Sequence, residues 1–325
     1  MVGSRRSGNG HRRFLHHGWW VERPMIATNY RTETVNVTGG PLQVGLWGPE
    51  DPQAPTVLLI HGVTASHIAW AMVAQALPGV RVIAPDLRGR GRSNQLPGPY
   101  GMPVHAADLA QVVEHFASGP IPVIGHSMGA FVSLVFADMY PQLVSSLLLV
   151  DGGLPLQVPE GLDDEQIIEA VLGPAAQRLS MTFESVAAYR EFWKPHPAFS
   201  ENWNELVDEY IKYDLDGVAP QLRPATKYQA LAEDTAELHR GASLFKALEE
   251  LRHPVTFLRS PKGLMGAEPG LYTKEYVQSW GQKLRGLQIE EVPDTNHYTI
   301  VMDRPGRDVV ARHIQRMLGR EVKSV

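Results

Sequence analysis

The amino-acid sequence predicts an α/β fold: a mostly parallel, eight-stranded sheet with helices on both faces and a helical cap inserted into the chain. Four continuous apolar runs, PTVLLIHG, VRVIAPD, IPVIGHS and SSLLLVDG, alternate with stretches of helical periodicity. Strands that are buried on both faces and separated by helices are typical of a parallel sheet. The strand signal disappears between about residues 153 and 250 and returns at 254–260 and 287–293, which indicates an insertion within one domain.

The remaining elements follow from turn signals and periodicity. Residues 32–37 (TETVNV) and 42–48 (LQVGLWG) flank the turn signal TGGP and predict an antiparallel pair of strands. Helices are predicted at 65–77, 104–117 and 128–140, between the two returning strands, and from about 306 to 318. The predicted division is a core of residues 28–152 and 251–325, a helical cap of residues 153–250 and a disordered tail of residues 1–27.

The amino-terminal tail and the uncharged stretches bear on location. Met25 lies shortly before the first strand-like segment, which leaves open whether residues 1–24 belong to the native protein. The tail lacks the apolar run of about 7 to 15 residues that a secretory signal contains, and we expect a cytoplasmic protein. The stretch 117–137 has no charged residue, but glycine and proline interrupt it, so no membrane span is predicted.

The composition excludes several classes of protein. The chain has 325 residues, a formal net charge of −5 and no cysteine. Because no basic run is interleaved with aromatic residues, a nucleic-acid partner is not expected. The lack of cysteine excludes disulfides and thiolate metal sites. We expect neither a metal nor a cofactor, and the oligomeric state stays open.

A nucleophile-like motif stands between a predicted strand and a predicted helix. Residues 125–129, GHSMG, match G-x-S-x-G, in which a sharp turn presents the central serine, Ser127, at the end of the sheet. Glycine is needed on both sides because a Cβ there would strike the neighbouring strand or helix. The alternative is a serine that only caps a helix. The remainder of the sequence has to decide between these two interpretations.

Two further turns favour the reactive serine. HGVT, residues 61–64, directly follows the third strand, where a backbone N–H has to point at the same site. Val63 and Met128 are therefore the candidate N–H donors to an oxyanion. A turn rich in arginine and glycine, DLRGRGRSN at residues 86–94, follows the fourth strand.

Together these motifs resemble those of the α/β-hydrolase fold superfamily. The resemblance rests on HG after the third strand, D-x-R-G-x-G-x-S at residues 86–93, GHSMG, and the histidine of VPDTNHYTI after the last strand, and it covers about residues 32–320. It implies the chain order Ser, acid, His, with His297 as the base. It also implies a supporting or pocket-lining role for His61 and His126. Such motifs are specific for fold and much less so for substrate.

The acid of this triad is the least determined residue. The usual position after the seventh strand falls near Gly263, and no carboxylate occurs there before Glu268. Asp151, in LLLVDGG at the end of the sixth strand, is the favoured candidate, because some families of the superfamily take their acid from that position. An Asx turn into the cap would also explain an aspartate there. Asp294 is a further alternative and has the sequence context of a turn.

The cap supplies the evidence on substrate. Residues 160–250 contain 18 acidic and 8 basic residues together with several aromatic ones, of which Trp193 is assigned to the substrate pocket. For most of these aromatic residues the favoured interpretation is that they only fix the cap to the core. A cap over a serine site usually encloses an apolar pocket, and an acidic cap disfavours polyanionic substrates. We therefore expect a small, mostly apolar, neutral acyl substrate.

The resulting hypothesis is a capped serine hydrolase. Ser127 would cleave a carboxylic ester or lactone through an acyl-enzyme, with His297 as base and then acid. A carbon–carbon bond hydrolase or an amidase on the same triad is the first alternative. A ligand receptor that keeps the fold and does not turn over its ligand is the alternative from another class.

Overall fold

The computed structural model describes residues 29–158 and 161–320, and the tail predicted for residues 1–27 lies outside them. The main sheet has eight strands, in line with the prediction. Its strands are β1 (Arg31–Val37), β2 (Gly40–Trp47), β3 (Thr56–Ile60), β4 (Arg81–Pro85), β5 (Ile121–His126), β6 (Val144–Val150), β9 (Val255–Arg259) and β10 (Gln288–Glu291). Two short strands, β7 (Leu215–Asp216) and β8 (Arg223–Pro224), pair separately.

The order of strands places the predicted motifs side by side. The sheet runs β1-β2-β4-β3-β5-β6-β9-β10, with β1 antiparallel to β2 and β2 antiparallel to β4. All the other pairs are parallel. The carboxyl ends of β3, β5, β6 and β9 therefore lie next to one another at one edge, which is where open parallel sheets bind their ligands.

Helices cover both faces of this sheet. They are α1 (Ala71–Gln75), α2 (Met102–Phe116), α3 (Met128–Met139), α4 (Asp164–Leu172), α5 (Pro174–Gln177), α6 (Val186–Trp193), α7 (Glu205–Tyr213), α8 (Tyr228–Arg240), α9 (Ala242–Glu249), α10 (Lys274–Lys283), α11 (Thr299–Met302) and α12 (Gly306–Met317). On one face α3 packs against α2 and α9, and on the other α1, α11 and α12 pack together. None of the helices in the described ranges is long and apolar enough to cross a bilayer.

The central strand β3 shows how the sequence produces a sheet covered by helices on both faces. Leu58 and Ile60 are fully buried in the apolar cluster on the α2–α3 side, whereas Val57 and Leu59 are fully buried in the cluster on the α1–α12 side. Successive side chains of a strand point to opposite faces, so a strand covered on both faces needs apolar residues at every position. This is why the continuous run TVLLI predicts a buried parallel strand.

The segment between β6 and α9 contains α4 to α8 and the β7–β8 pair. The pair was not predicted, because strands of two residues carry no periodicity to recognise. Helix α9 lies inside the range predicted for the cap, residues 153–250, yet packs against α3 of the sheet layer. The boundaries of the cap stay a prediction, and residues 153–240 are called the cap segment below.

Candidate active site

Ser127 occupies the turn between β5 and α3, with backbone angles φ +54° and ψ −127°. A non-glycine residue in this region is strained and is held there by its surroundings. The two flanking glycines permit the turn: a Cβ on Gly125 would lie 2.2 Å from the Gly129 carbonyl oxygen, and one on Gly129 would lie 2.1 Å from that of Ile60. Both positions therefore exclude any larger residue, as the motif predicts.

His297 and Asp151 come together from distant parts of the chain. The Nδ1–H of His297, in the loop between β10 and α11, donates to Asp151 Oδ2 over 2.7 Å. Asp151 directly follows β6, has φ +46°, and its other carboxylate oxygen accepts the Ser260 backbone N–H at 3.1 Å. Both side chains are buried. Since Nδ1 carries the proton, Nε2 of His297 is free to accept one.

The two other candidate acids lie elsewhere. Glu268 and Asp294 are both exposed, and neither forms a hydrogen bond to the His297 ring. Asp294 has φ +58°, in keeping with the turn that its sequence context indicates. Of the three carboxylates considered from the sequence, Asp151 is therefore the one that contacts the imidazole.

His126 supports His297 from behind. Its Nε2–H donates to the His297 carbonyl at 2.7 Å, and the two ring centroids are 4.8 Å apart. Burial holds the pKa of His126 well below its usual value, and the neighbouring His297 lowers it further. A neutral ring that holds the backbone of His297 in place suits a supporting group better than a second base.

A small, partly open cavity lies against Ser127, His126 and His297. Its walls are mainly apolar and are contributed by Val63, Ala65, Ala69, Leu172, Ala175, Leu264, Val301 and Met302. Thr64, Tyr210 and Tyr298 add hydroxyl-bearing side chains. Leu172 and Ala175 belong to α4 and α5, so the cap segment forms part of the cavity wall, as a cap over the sheet edge predicts.

Two backbone N–H groups at this cavity are the candidate oxyanion donors. Val63 lines the cavity, and Met128 is the first residue of α3. In the ranges that the structure describes, neither N–H donates to a protein acceptor. The first N–H groups of a helix are unpaired and carry the positive end of its dipole, which suits them to a developing negative charge. The two turns therefore provide donors that are available to a ligand.

His61 is not among the described residues that line the cavity, so of its two predicted roles, supporting or pocket-lining, its contacts fit the supporting one. It is fully buried beneath the turn, where its Nε2 accepts the Leu87 N–H at 2.9 Å and its Nδ1–H donates to the Gly62 carbonyl at 2.8 Å. Burial lowers the pKa of His61 to about 4. The peptide that it holds is the one that carries the Val63 N–H, so His61 acts on the site only through the backbone.

The sequence also assigns Trp193 to the pocket, but Trp193 is not among the described residues that line the cavity. Its ring lies beneath the guanidinium of Arg178, with 5.3 Å between the guanidinium carbon and the ring centroid. The indole packs against Tyr189 and Phe199 in an aromatic cluster of the cap segment. The spacing of aromatic residues in a helix shows which residues share a face, but not whether that face meets a cavity or another helix.

The motif at residues 86–93 has a structural role. Asp86 is fully buried and accepts hydrogen bonds from His67 Nδ1 and from the hydroxyl of Tyr213 in α7, both at 2.7 Å. Although burial favours the neutral acid, the adjacent His67 holds the pKa of Asp86 below its usual range. Asp86 therefore connects the cap segment to the sheet and does not line the cavity.

Two buried arginines near the site were not predicted. Arg90 donates to the Val63 carbonyl, and Arg178 donates to the Thr64 carbonyl. An arginine in a polar motif or in an acidic cap is expected at the surface, and only the tertiary structure shows that both are buried. Within the described residues, no group of three or more histidine, aspartate or glutamate side chains is arranged to hold a metal.

Comparison with known proteins defines the class. Residues 55–208 match the alpha/beta hydrolase fold family. Over 275 residues the chain is 30% identical to the 3-hydroxybutyrate-oligomer hydrolase of Cupriavidus necator, which covers 79% of this chain and 87% of the relative. The chain therefore belongs to the α/β-hydrolase fold superfamily, and the resemblance seen in its motifs is confirmed.

Two further similarities are partial or confined to the fold. The chain is 34% identical to lipase LipV of Mycobacterium tuberculosis over 131 residues, which are 40% of this chain and 48% of the lipase. It thus matches about half the length of that relative. The crystal structure of E-2-(acetamidomethylene)succinate hydrolase has a TM-score of 0.73 and 21% identity, with 90% of this chain and 100% of the other covered. That likeness shows a shared fold.

Proposed function

We propose that the chain is a serine hydrolase that cleaves a carboxylic ester or lactone through an acyl-enzyme. The observation that carries the proposal is the buried 2.7 Å hydrogen bond between His297 Nδ1 and Asp151, on an imidazole that lines the same cavity as Ser127. An oriented base next to a strained, accessible serine is the arrangement that nucleophilic catalysis requires. The lipase and oligomer hydrolase named among the relatives support the same reaction class.

The reaction begins with attack on the carbonyl carbon. Ser127 Oγ bonds to this carbon while His297 Nε2 takes its proton, and the carbonyl electrons move onto the oxygen. The Val63 and Met128 N–H groups stabilise the resulting oxyanion. When the tetrahedral intermediate collapses, the C–O bond to the alcohol breaks and His297 returns the proton to the leaving oxygen. Water then bonds to the acyl carbon while His297 Nε2 takes its proton, the bond from that carbon to Ser127 Oγ breaks, and His297 returns the proton to Ser127 as the acid is released.

Two features of the site prepare it for these steps. In the described residues the Ser127 hydroxyl has no hydrogen-bond partner, so no bond within the protein has to break before attack. The hydrogen bond from the Ser127 hydroxyl to His297 Nε2 forms in the reacting complex, since catalytic hydrogen bonds often tighten only when substrate binds. The buried carboxylate of Asp151 keeps the proton on Nδ1 and stabilises the imidazolium that forms.

The walls of the cavity indicate the acyl group. They are formed mainly by alanine, valine, leucine and methionine, and no lysine or arginine side chain is among the described residues that line the cavity. Each Å² of apolar substrate surface that these walls remove from water gains about 25 cal/mol of hydrophobic free energy. A small, mostly apolar and neutral acyl group therefore fits this site better than a polyanion does.

An amidase or a carbon–carbon bond hydrolase on the same residues is the second candidate. The structural neighbour is named 2-(acetamidomethylene)succinate hydrolase, and the acetamido group in that name favours an amide substrate. The lack of a lysine or arginine among the described lining residues disfavours a succinate-like dianion. Ester hydrolysis is therefore the first activity to test.

A fluorophosphonate probe is expected to label Ser127 and to stop hydrolysis in the same proportion. An activated serine attacks the phosphorus and displaces fluoride, and the adduct is located by mass spectrometry of the peptide that contains Ser127. Turnover is measured in parallel on a panel of p-nitrophenyl esters and lactones. Heat-unfolded protein is the control, because activation of the serine requires the folded site. If folded protein shows no labelling and no turnover, the result contradicts the proposed hydrolase and favours the ligand receptor.

A further inference from the structure

Buried side chains donate hydrogen bonds to the carbonyls of the turn that carries the Val63 N–H. Two of them are arginines that also pair with aspartates of the cap segment. The turn consists of residues 62–64 and is called the oxyanion turn here. We propose that Arg90 and Arg178 are positioning residues through which the cap segment fixes the geometry of the oxyanion turn. The inference rests on the proposed function, because an oxyanion has to form for this geometry to matter.

Arg90 joins the oxyanion turn to helix α8. Its Nε donates to the Val63 carbonyl at 2.9 Å, while Nη1 lies 2.6 Å from Asp234 and Nη2 donates to the Ala230 carbonyl at 3.3 Å, both in α8. Its Nη2 also lies 3.8 Å from the sulfur of Met128. The side chain is fully buried. One guanidinium thus contacts both residues that supply the oxyanion donors and holds them against the cap segment.

Asp234 is itself fixed to the sheet layer. It accepts the Gly101 N–H, just before α2, at 2.6 Å, and His105 Nε2 lies 3.0 Å from its carboxylate. Burial alone would raise the pKa of Asp234, but the adjacent His105 and Arg90 hold it at about 2. Arg90 therefore faces an ionised carboxylate that cannot move without breaking contacts to α2.

Arg178 makes the second connection. Its Nη2 donates to the Thr64 carbonyl at 2.9 Å and lies 3.3 Å from Asp214, which directly follows α7. Its Nε and Nη1 have no partner among the described residues, although the side chain is fully buried and lies over Trp193. Unpaired buried donors cost stability. A buried arginine that costs stability and also bonds the turn beside the active site is in keeping with a role in positioning that turn.

The geometry of a peptide explains why these contacts reach the oxyanion. A trans peptide is planar, so holding its C=O also sets the direction of its N–H on the opposite side. His61 holds the Gly62 carbonyl, which shares a peptide with the Val63 N–H, and the two arginines hold the next two carbonyls. Rotation of the Val63 N–H away from the cavity would break the bonds that the Gly62 carbonyl accepts from His61 and from the Ala65 N–H. The two arginines limit that rotation indirectly, because they fix the next two peptides of the turn.

A purely structural role for Arg90 is the competing interpretation, and Arg88 provides the matched control. Arg88 is in the same loop, is nearly fully buried, and pairs with Asp108 through two bonds of 2.9 and 2.7 Å. The remaining bonds of its side chain are to the carbonyls of Thr38 and Pro97, so the side chain does not touch the oxyanion turn. Its backbone carbonyl, which a substitution keeps, accepts a bond from Arg90 Nη1 at 2.9 Å. Replacing Arg88 removes a buried pair of the same kind without this contact.

The test compares Arg90→Gln and Arg178→Gln with Arg88→Gln, using kcat and KM for a p-nitrophenyl ester and the inhibition constant of an alkyl boronic acid. The boronic acid adds to Ser127 as a tetrahedral anion and so reports on the oxyanion donors. For the first two variants we expect kcat and boronic acid affinity to fall together by about 10-fold to 100-fold with KM little changed. Arg88→Gln is expected to lower thermal stability while both quantities stay near wild type.

Arg90→Lys covers the case in which Arg90→Gln does not fold. Lysine keeps a positive charge beside Asp234, but its single ammonium cannot reproduce the fork that also reaches the Val63 carbonyl. We expect it to fold and to lose kcat and boronic acid affinity. Arg90→Lys with wild-type values for both, or losses in Arg88→Gln equal to those in Arg90→Gln, would overturn the inference. A wild-type chain that neither turns over esters nor binds the boronic acid would instead contradict the proposed function.

Discussion

Ser127→Ala is expected to lower kcat for ester hydrolysis by about 10⁶-fold, because it removes the atom that attacks the carbonyl. The fold should stay intact. In the described residues no protein group depends on the Ser127 hydroxyl for a hydrogen bond, and alanine adopts the same strained backbone angles at similar cost. We therefore expect a change in unfolding free energy within about 0.5 kcal/mol. Steady-state kinetics and thermal unfolding of the purified variant provide the two measurements.

Ser133→Ala is the matched control for this change. Ser133 is on the same helix, α3, and is fully buried, with its hydroxyl bonded to the Gly129 carbonyl at 2.7 Å. The same atom is removed, but away from the cavity, so kcat should stay near wild type. Turnover by Ser127→Ala at a rate comparable to that of Ser133→Ala would show that another group is the nucleophile.

The fold was predictable because its signals are local in sequence. The run TVLLI shows that β3 is buried on both faces, and the glycines at 125 and 129 show that a strand has to turn sharply into a helix. A strand with helices on both faces needs apolar residues at every position, and the sharp turn needs glycine where a Cβ would clash. A sheet of eight strands follows when several such units are read in order.

The triad acid was not determined in the same way. Asp151 and His297 are 146 residues apart, and their hydrogen bond depends on the strand order β6-β9-β10 rather than on any spacing in the sequence. A carboxylate at the end of a strand is equally compatible with a turn, so the sequence leaves both interpretations open, and only the hydrogen bond to the imidazole distinguishes them.

The pocket residues show where local signals stop. A motif gives His61 a supporting or pocket-lining role, and aromatic composition assigns Trp193 to the pocket. Both side chains are buried, and neither is among the described residues that line the cavity. Arg90 and Arg178 were missed for the opposite reason: charged residues are rarely buried, and the acceptors of these two are backbone carbonyls, which carry no sequence signal. The buried residues that hold a site in place without lining it are therefore the part that sequence patterns predict least.

Asp151→Asn is expected to lower kcat by about 10⁴-fold, the loss typical when the carboxylate of a serine triad becomes an amide. Asparagine has nearly the same shape, so it keeps the packing at the end of β6, but its neutral side chain no longer stabilises the imidazolium. Its NH₂ group also favours the tautomer with the proton on Nε2 of His297, which cannot accept a proton from Ser127. The effect is measured as kcat for a p-nitrophenyl ester, with KM determined alongside.

Glu268→Gln provides the comparison that assigns the acid. Glu268 is exposed, so removing its charge should change stability by less than about 0.5 kcal/mol and leave kcat near wild type. Loss of activity in Glu268→Gln with full activity in Asp151→Asn would transfer the role to Glu268. Full activity in both variants would contradict any triad that uses either carboxylate. Because the two substitutions remove one charge each, a difference between them reports on the contact with His297 and not on net charge.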